Sequence, residues 1–329
     1  MAGRLFLLLV LGAALLPFQP AVARADDGPP RTLLSAADRL RPTETIERVA
    51  TADVVHLLVT VAGYGADPHD SRYWQPIYNA TPDYRHVQFG DGFGQYDTRG
   101  SLAANGDRLR QAIQRSVRED DVDDVRIIAV SQGGVVGAEA FRSGLSAGDG
   151  VSTFTTIASP VNGSTTARVV LGADAVAKRA GAHAELASLV APLGVGLDDP
   201  ALHDLAELRD FTPPPGVQYR QFYAEMDELV FDRDARVGAS TARTLTPFAP
   251  GAHGGQLNDP RTLPMVVDAV RGRDVVVPAA ERHAADFIAP FADVIRHVAF
   301  TALAVVFVVA AVTLASAKHL LARIPAWRT

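Results

Sequence analysis

The segment from Ile127 to Gly137 constrains the possible folds more than any other part of the chain. Residues Val125 to Val130 are apolar except for Arg126 and rich in β-branched side chains, which predicts a strand buried on both faces of a parallel sheet. Ser131 and two glycines follow at once, and Val135 to Phe141 then favours a helix. This order predicts a tight turn that presents a serine hydroxyl above the edge of the sheet.

The turn matches the pattern G-x-S-x-G, with Ala129 in the first glycine position and Gly133 in the last. A serine on a strained strand-to-helix turn needs small neighbours, and alanine still satisfies that requirement. Ser131 is therefore a candidate nucleophile, with Gln132 as the first residue of the helix. The alternative is an ordinary turn in which the serine only caps the helix.

Further strands and helices alternate along the chain. Such alternation predicts a parallel sheet built by right-handed crossovers, with helices on both faces and polar groups gathered at the carboxyl edge. We therefore expect one α/β domain over residues 51–273. Its other strands are predicted at Val54–Ala62, Tyr84–Phe89, Val151–Ala158, Val217–Ala224 and, less regularly, Thr244–Phe248, and its clearest helices at Ser101–Val117 and Leu263–Val270.

The loop after the first strand contains Gly63, Tyr64 and Gly65. A glycine turn after a strand leaves backbone N–H groups free to bind an anion. If Ser131 is a nucleophile, the N–H groups of Tyr64 and Gln132 are expected to form an oxyanion hole. The alternative is that the glycines only make a tight turn.

An acid and a histidine follow the serine in the chain. Asp227 lies just past a predicted strand, where a carboxylate can orient an imidazole, and Asp232 and Asp234 are rivals for that role. His253 lies beside glycines in a later loop and is the candidate general base. The resulting order, serine then aspartate then histidine, is that of the α/β-hydrolase arrangement.

Several other functions are disfavoured. The chain of 329 residues contains no cysteine, which excludes disulfides, thiolate metal sites and cysteine nucleophiles. Its formal net charge of -6 argues against nucleic-acid binding. No H-E-x-x-H motif or close histidine pair suggests zinc. The glycines from Gly90 to Gly94 lack the lysine of a phosphate-binding loop. Neither a zinc site nor a phosphate-binding loop is therefore expected.

Residues 165–210 interrupt the strand pattern with alanine-, leucine- and valine-rich helical sequence. An insertion of this kind between strands can form a lid or cap over a pocket. Helices that simply pack on the core are an equally good interpretation.

Both ends of the chain indicate export and membrane attachment. Residues 1–25 have a basic start, a short apolar run and an Ala-x-Ala site, as in a signal peptide, and residues 26–50 form a leader. Residues 297–317 are apolar and long enough to cross a bilayer after a linker at 274–296. The basic tail at 318–329 predicts a cytoplasmic C-terminus, with the catalytic domain outside.

These motifs together resemble those of the α/β-hydrolase superfamily, and within it bacterial lipases and esterases. The resemblance covers about Val54 to Val270 and includes the loop at Gly63, the Ala129–Gly133 turn, Asp227 and the His253-Gly254-Gly255 loop. A turn at Ser159-Pro160-Val161-Asn162-Gly163-Ser164 is similar to a Thr-Pro-x-x-Gly-Ser stretch of lipases. The Ser-Gln-Gly of the turn is also similar to cutinase-like esterases, which usually carry disulfides.

The resemblance implies ester hydrolysis through an acyl-serine intermediate, a reaction that needs neither a metal nor an organic cofactor. Ser131 would attack, His253 would transfer the proton, Asp227 would hold the imidazole, and Tyr64 and Gln132 would stabilise the oxyanion. The expected substrates are acyl esters of lipids or envelope components. Two alternatives remain open at this stage: an envelope acyltransferase with the same triad, and a catalytically inert fold used for binding. The oligomeric state is not predicted.

Overall fold

The structure is a computed structural model. It describes residues 54–207, 209–225, 227–238, 241–244 and 252–322. The predicted signal peptide, the leader, the last seven residues of the tail and all but the first residue of the predicted strand Thr244–Phe248 lie outside the described residues.

A seven-stranded sheet forms the centre of the domain, and every described strand pair in it is parallel. The strand order is β3-β2-β1-β4-β5-β6-β7, so β1 and β4 are central neighbours. This confirms the predicted parallel α/β architecture. The strands are β1 (His56–Val61), β2 (Arg85–Phe89), β3 (Gly92–Phe93), β4 (Asp124–Val130), β5 (Val151–Ile157), β6 (Gln218–Ala224) and β7 (Thr241–Thr244).

Helices connect the strands and cover both faces of the sheet. The α-helices are α1 (Gln75–Ala80), α2 (Leu102–Glu119), α3 (Gln132–Arg142), α4 (Thr165–Arg179), α5 (His183–Val190), α6 (Pro200–Ala206), α7 (Asp232–Ala235), α8 (Ala252–Gly255), α9 (Thr262–Val270) and α10 (Ala279–Ala322). Short 3₁₀ turns lie at Ser71–Trp74, Ala147–Asp149 and Ala191–Leu193. Helices α2 and α3 contribute to one apolar cluster, whereas α1 and α9 contribute to the other.

The alternation of side chains along β4 explains why the sheet needs helices on both faces. Ile127 and Ala129 lie in the cluster under α2 and α3, and Ile128 and Val130 lie in the opposite cluster. Successive residues of a strand point to opposite faces, so a strand that is apolar at every position must be covered twice. The apolar run in the sequence therefore specified a central strand.

The insertion at 165–210 folds into α4, α5 and α6. Helix α6 packs into the main core through Ala201, Leu202 and Leu205. Helix α5 and the end of α4 form a separate cluster with the C-terminal helix, in which Leu186 and Val190 face Ala311 and Ala315. The insertion is thus divided between the core of the domain and a contact with α10.

The C-terminal helix is longer than the sequence predicted. Most of the expected linker at 274–296 is helical, because α10 begins at Ala279 and continues without a break to Ala322. Its segment Val294–Leu320 is 27 residues long and apolar enough to cross a membrane. Val298, Val305 and Val309 are more than half exposed, so much of its apolar surface is not covered by the domain.

Candidate functional site

Ser131 occupies the strained turn between β4 and α3. Its backbone has φ 54° and ψ −128°, a region that non-glycine residues rarely adopt and that costs about 1–3 kcal/mol. The turn is held by the Ser131 N–H, which donates to the Ile157 carbonyl at 2.8 Å, and by the Gly134 N–H, which donates to the Ser131 carbonyl at 3.1 Å. The neighbouring strand β5 thus fixes the position from which the serine side chain projects.

Small residues around the serine allow several backbones to approach closely. A Cβ atom on Gly133 would lie 2.3 Å from the Val61 carbonyl oxygen and 2.6 Å from that of Ala62. A Cβ on Gly63 would lie 3.1 Å from the Ser131 Cβ, so the loop after β1 passes directly beside the serine. Ala129 is fully buried in β4 and its methyl group fits in the core.

His253 and Asp227 complete a chain of hydrogen bonds with Ser131. His253 Nε2 is 2.8 Å from Ser131 Oγ, and His253 Nδ1 is 3.0 Å from both carboxylate oxygens of Asp227. Asp227 is completely buried, while the His253 side chain is 16% exposed. The structure therefore brings together the three residues that the sequence proposed as nucleophile, base and acid.

The surrounding loop selects Asp227 as the partner of the histidine. Its Oδ1 accepts hydrogen bonds from the backbone N–H groups of Leu229 at 2.8 Å and Val230 at 2.9 Å, which stabilise the charged carboxylate. The rival Asp234 has a different role, since it accepts from the Thr165 N–H at 2.7 Å and from the Thr165 hydroxyl at 2.8 Å, at the start of α4. The other rival, Asp232, begins the short helix α7.

The acidic neighbours determine the protonation of His253. Burial works to lower the pKa of His253, but the charge and hydrogen bond of Asp227, with a further contribution from Glu228, raise it above its ordinary value of 6.5. Glu228 also accepts a hydrogen bond from the His253 backbone N–H at 3.1 Å. Burial and the nearby Asp227 charge raise the pKa of Glu228. The imidazolium form is thus stabilised next to the serine.

The two predicted oxyanion-hole residues flank Ser131 in space. Gln132 follows it at the first position of α3, and Tyr64 follows Gly63 in the adjoining loop. Within the described part of the chain, neither backbone N–H donates a hydrogen bond to a protein acceptor. Both residues thus lie beside the serine, where the predicted oxyanion hole requires them.

The architecture and the site together identify the fold. A parallel sheet carries a strained serine between a central strand and its helix, and the acid and the histidine follow in chain order after later strands. The fold is that of an α/β-hydrolase.

Comparison with known proteins finds similarity to solved structures. No protein-family model and no curated protein sequence matches this chain. Among solved structures, the mature lipase BlEst2 from Bacillus licheniformis shows 14% identity and a TM-score of 0.43, with 64% of this chain and 91% of that chain covered. A hydrolase from Oleispira antarctica shows 15% identity and a TM-score of 0.42, with coverage of 67% and 92%.

A third match is the 2-hydroxy-6-oxo-6-phenylhexa-2,4-dienoate hydrolase BphD from Rhodococcus sp. strain RHA1. It shows 15% identity and a TM-score of 0.41, with 66% of this chain and 91% of that chain covered. At these values the likeness assigns no activity to the chain.

A polar network that the sequence did not reveal holds the Tyr64 loop. The Tyr64 hydroxyl donates to Asp199 at 2.5 Å, and Arg99 donates to the same carboxylate at 2.6 Å. The Gly196 N–H donates to the Tyr64 hydroxyl at 3.1 Å, and burial together with the Asp199 hydrogen bond raises the pKa of Tyr64 to about 12. The loop next to Ser131 is thereby tied to the segment before α6.

The close packing around the turn predicts opposite effects for two glycine substitutions. Gly133→Ala should lower the free energy of unfolding by at least about 1–3 kcal/mol, because its methyl group would meet two backbone carbonyls that cannot move independently of β1. Gly172→Ala, in α4 with nothing within 4 Å of the added Cβ, should instead raise it by about 0.5–1 kcal/mol. Thermal unfolding followed by circular dichroism measures both. Equal stability of the two variants would contradict the proposed steric role of Gly133.

Proposed function

We propose that this protein is a serine hydrolase that cleaves acyl esters through an acyl-serine intermediate. The observation that carries the proposal is the continuous hydrogen-bonded chain from buried Asp227 through His253 to the strained Ser131. A serine hydroxyl is a weak nucleophile until an adjacent base removes its proton, and this geometry supplies that base.

The reaction follows from the positions of these groups. His253 Nε2 accepts the Ser131 proton as Oγ attacks the ester carbonyl, while Nδ1–H continues to donate to Asp227. The N–H groups of Tyr64 and Gln132 bind the oxyanion, and the imidazolium then protonates the leaving alcohol. Water, deprotonated by His253, attacks the acyl-enzyme, and collapse of the second tetrahedral intermediate releases the acid and restores the serine.

A membrane location is the second part of the proposal. The apolar segment Val294–Leu320 contains the span predicted at 297–317, which anchors the protein in the cytoplasmic membrane, with the catalytic domain on the outer side and the basic tail in the cytoplasm. Acyl esters of lipids or envelope components are then the substrates within reach. No cofactor or metal takes part in the proposed reaction.

The membrane-spanning arrangement has one structural requirement. In the structure, Ala311 and Ala315 of α10 pack against α4 and α5, and Lys318 forms an ion pair with Glu185 at 2.8 Å. Glu185 and Lys178 of these helices are charged, and burying charges in hydrocarbon is costly. We therefore infer that the second half of α10 leaves α4 and α5 when it enters the bilayer.

Covalent labelling tests the chemistry. The full-length chain in detergent should react with a fluorescent fluorophosphonate, because its activated serine attacks the phosphorus atom. Labelling should disappear in Ser131→Ala and fall by at least about 100-fold in His253→Ala. Ser143→Ala is the matched control, since that serine lies at the end of α3 away from the histidine and donates to the Ala140 carbonyl.

A folded wild-type protein that does not label would contradict the hydrolase proposal and favour the inert binding fold. If labelling occurs, an ester assay with and without an added acceptor alcohol separates hydrolysis from acyl transfer.

The raised pKa of His253 predicts the pH dependence of labelling. Only neutral imidazole accepts the serine proton, so the labelling rate should rise with pH. The acidic limb of this pH–rate profile should have its midpoint above pH 6.5. Asp227→Asn removes the negative charge that raises the pKa of His253 most. The acidic limb should therefore move to lower pH, and the maximal rate should fall. Glu228→Gln removes a smaller contribution and keeps an acceptor for the His253 N–H, so its shift should be smaller and its rate nearly retained. An acidic limb that is unchanged in Asp227→Asn would contradict the assigned role of Asp227.

Single cysteines test the proposed topology, because the native chain contains none. Ala103→Cys places a thiol on the exposed side of α2, and His319→Cys places one near the end of α10. A membrane-impermeant maleimide should label position 103 in intact bacteria and position 319 only after permeabilisation. Labelling of position 319 in intact cells would overturn the spanning orientation.

A further inference from the structure

The first half of α10 crosses the loop that carries Asp227. Arg296 projects from this helix into the domain and is only 7% exposed. Its Nη1 donates to the backbone carbonyl of Glu225 at 2.9 Å and to that of Asp227 at 2.8 Å. One guanidinium nitrogen thus binds two main-chain oxygens at the turn that follows β6.

Aromatic rings enclose the same guanidinium. Its carbon lies 5.8 Å from the centre of the Tyr223 ring and 5.4 Å from that of Phe231. The Phe231 ring is also 6.4 Å from His297 and 6.2 Å from Phe300, so the next turn of α10 packs on it. Rings on both flanks of the loop restrict the position of Arg296, and a desolvated cation gains from such contacts.

The segment from Glu225 to Val230, called the acid loop below, is therefore held from two directions. Its carboxylate faces His253 and the N–H groups of Leu229 and Val230, whereas its backbone carbonyl faces Arg296. Only three bonds separate the carbonyl carbon of Asp227 from the carboxylate carbon. A displacement of this backbone would move the carboxylate by a comparable distance relative to the imidazole.

We propose that Arg296 is a positioning residue, which holds the backbone of Asp227 so that its carboxylate remains aligned with His253. This proposal rests on the proposed hydrolase function and extends it: the membrane-anchoring helix supplies part of the active-site support. Because Arg296 lies at the start of the apolar segment Val294–Leu320 and directly before the span predicted at 297–317, the contact also keeps the carboxyl edge of the sheet close to the membrane surface.

The test uses the full-length chain in detergent and three variants: Arg296→Gln, Arg296→Lys and the control Arg282→Gln. Arg282 is an exposed arginine of the same helix, so the control removes the same charge from α10 without touching the loop. The second-order rate constant of fluorophosphonate labelling is measured against pH and normalised to the folded fraction from circular dichroism.

Arg296→Gln should lower the maximal rate by about 10- to 100-fold, as expected for a misplaced catalytic group. Its acidic limb should move to lower pH, because a displaced Asp227 raises the pKa of His253 less and burial then dominates. Simple loss of a nearby positive charge, with Asp227 still in place, would move the limb to higher pH. Arg296→Lys should lie between wild type and Arg296→Gln, since a lysine keeps the charge but lacks the planar donor geometry.

A wild-type rate and limb in Arg296→Gln would overturn the proposal, and so would a limb shifted to higher pH. If Arg296→Gln does not fold, the lysine variant decides: a wild-type rate and limb there would show that the position needs only a cation for stability, which also overturns it. Failure of the wild type to label is a separate result, because it contradicts the hydrolase proposal itself.

Discussion

The close contact between α3 and the end of β1 is the constraint on which the rest of the structure depends. Gly133 lets the helix backbone lie against the carbonyl oxygens of Val61 and Ala62, two residues after the strained Ser131. The same contact brings the loop at Gly63 beside the serine. A larger residue at position 133 would push α3 away from the end of β1 and so move Ser131 relative to the loop at Gly63. Packing at one glycine therefore links the stability of the sheet to the geometry of the serine.

The charges around His253 determine which chemistry the Ser131–His253–Asp227 arrangement can support. A buried carboxylate is costly unless it is hydrogen-bonded, and Asp227 has two backbone donors in addition to His253. Its charge and that of Glu228 outweigh the effect of burial on the imidazole, so the pKa of His253 is raised. The site thus stabilises the imidazolium that forms when Ser131 loses its proton. Charge stabilisation is built into the resting structure before a substrate arrives.

Helix α10 contacts both the loop that carries Asp227 and the insertion helices. Its first half contacts the acid loop through Arg296 and Phe300, and its second half contacts the insertion helices through Ala311 and Ala315. The second set of contacts conflicts with a span across the bilayer, because Ala311 and Ala315 lie deep within the apolar segment, whereas Arg296 and Phe300 lie in its first two turns. The first set is compatible with a domain seated directly on the membrane surface. The helix is therefore part of the domain architecture as well as an anchor.

The sequence by itself determined the parallel sheet, the strand–serine–helix turn and the candidates Ser131, Asp227 and His253, because strand burial and glycine turns are local properties of neighbouring residues. It left open the choice among Asp227, Asp232 and Asp234, and it assigned residues 274–296 to a linker that is largely helical. It gave no sign of Arg99 and Asp199 beside Tyr64, or of Arg296 behind Asp227. Arg99 and Asp199 are 100 positions apart in the chain, and Arg296 and Asp227 are 69 apart, so no local pattern encodes these contacts. Only the packing of the chain decides which distant charges meet, and this is why tertiary structure was needed to place the support around the site.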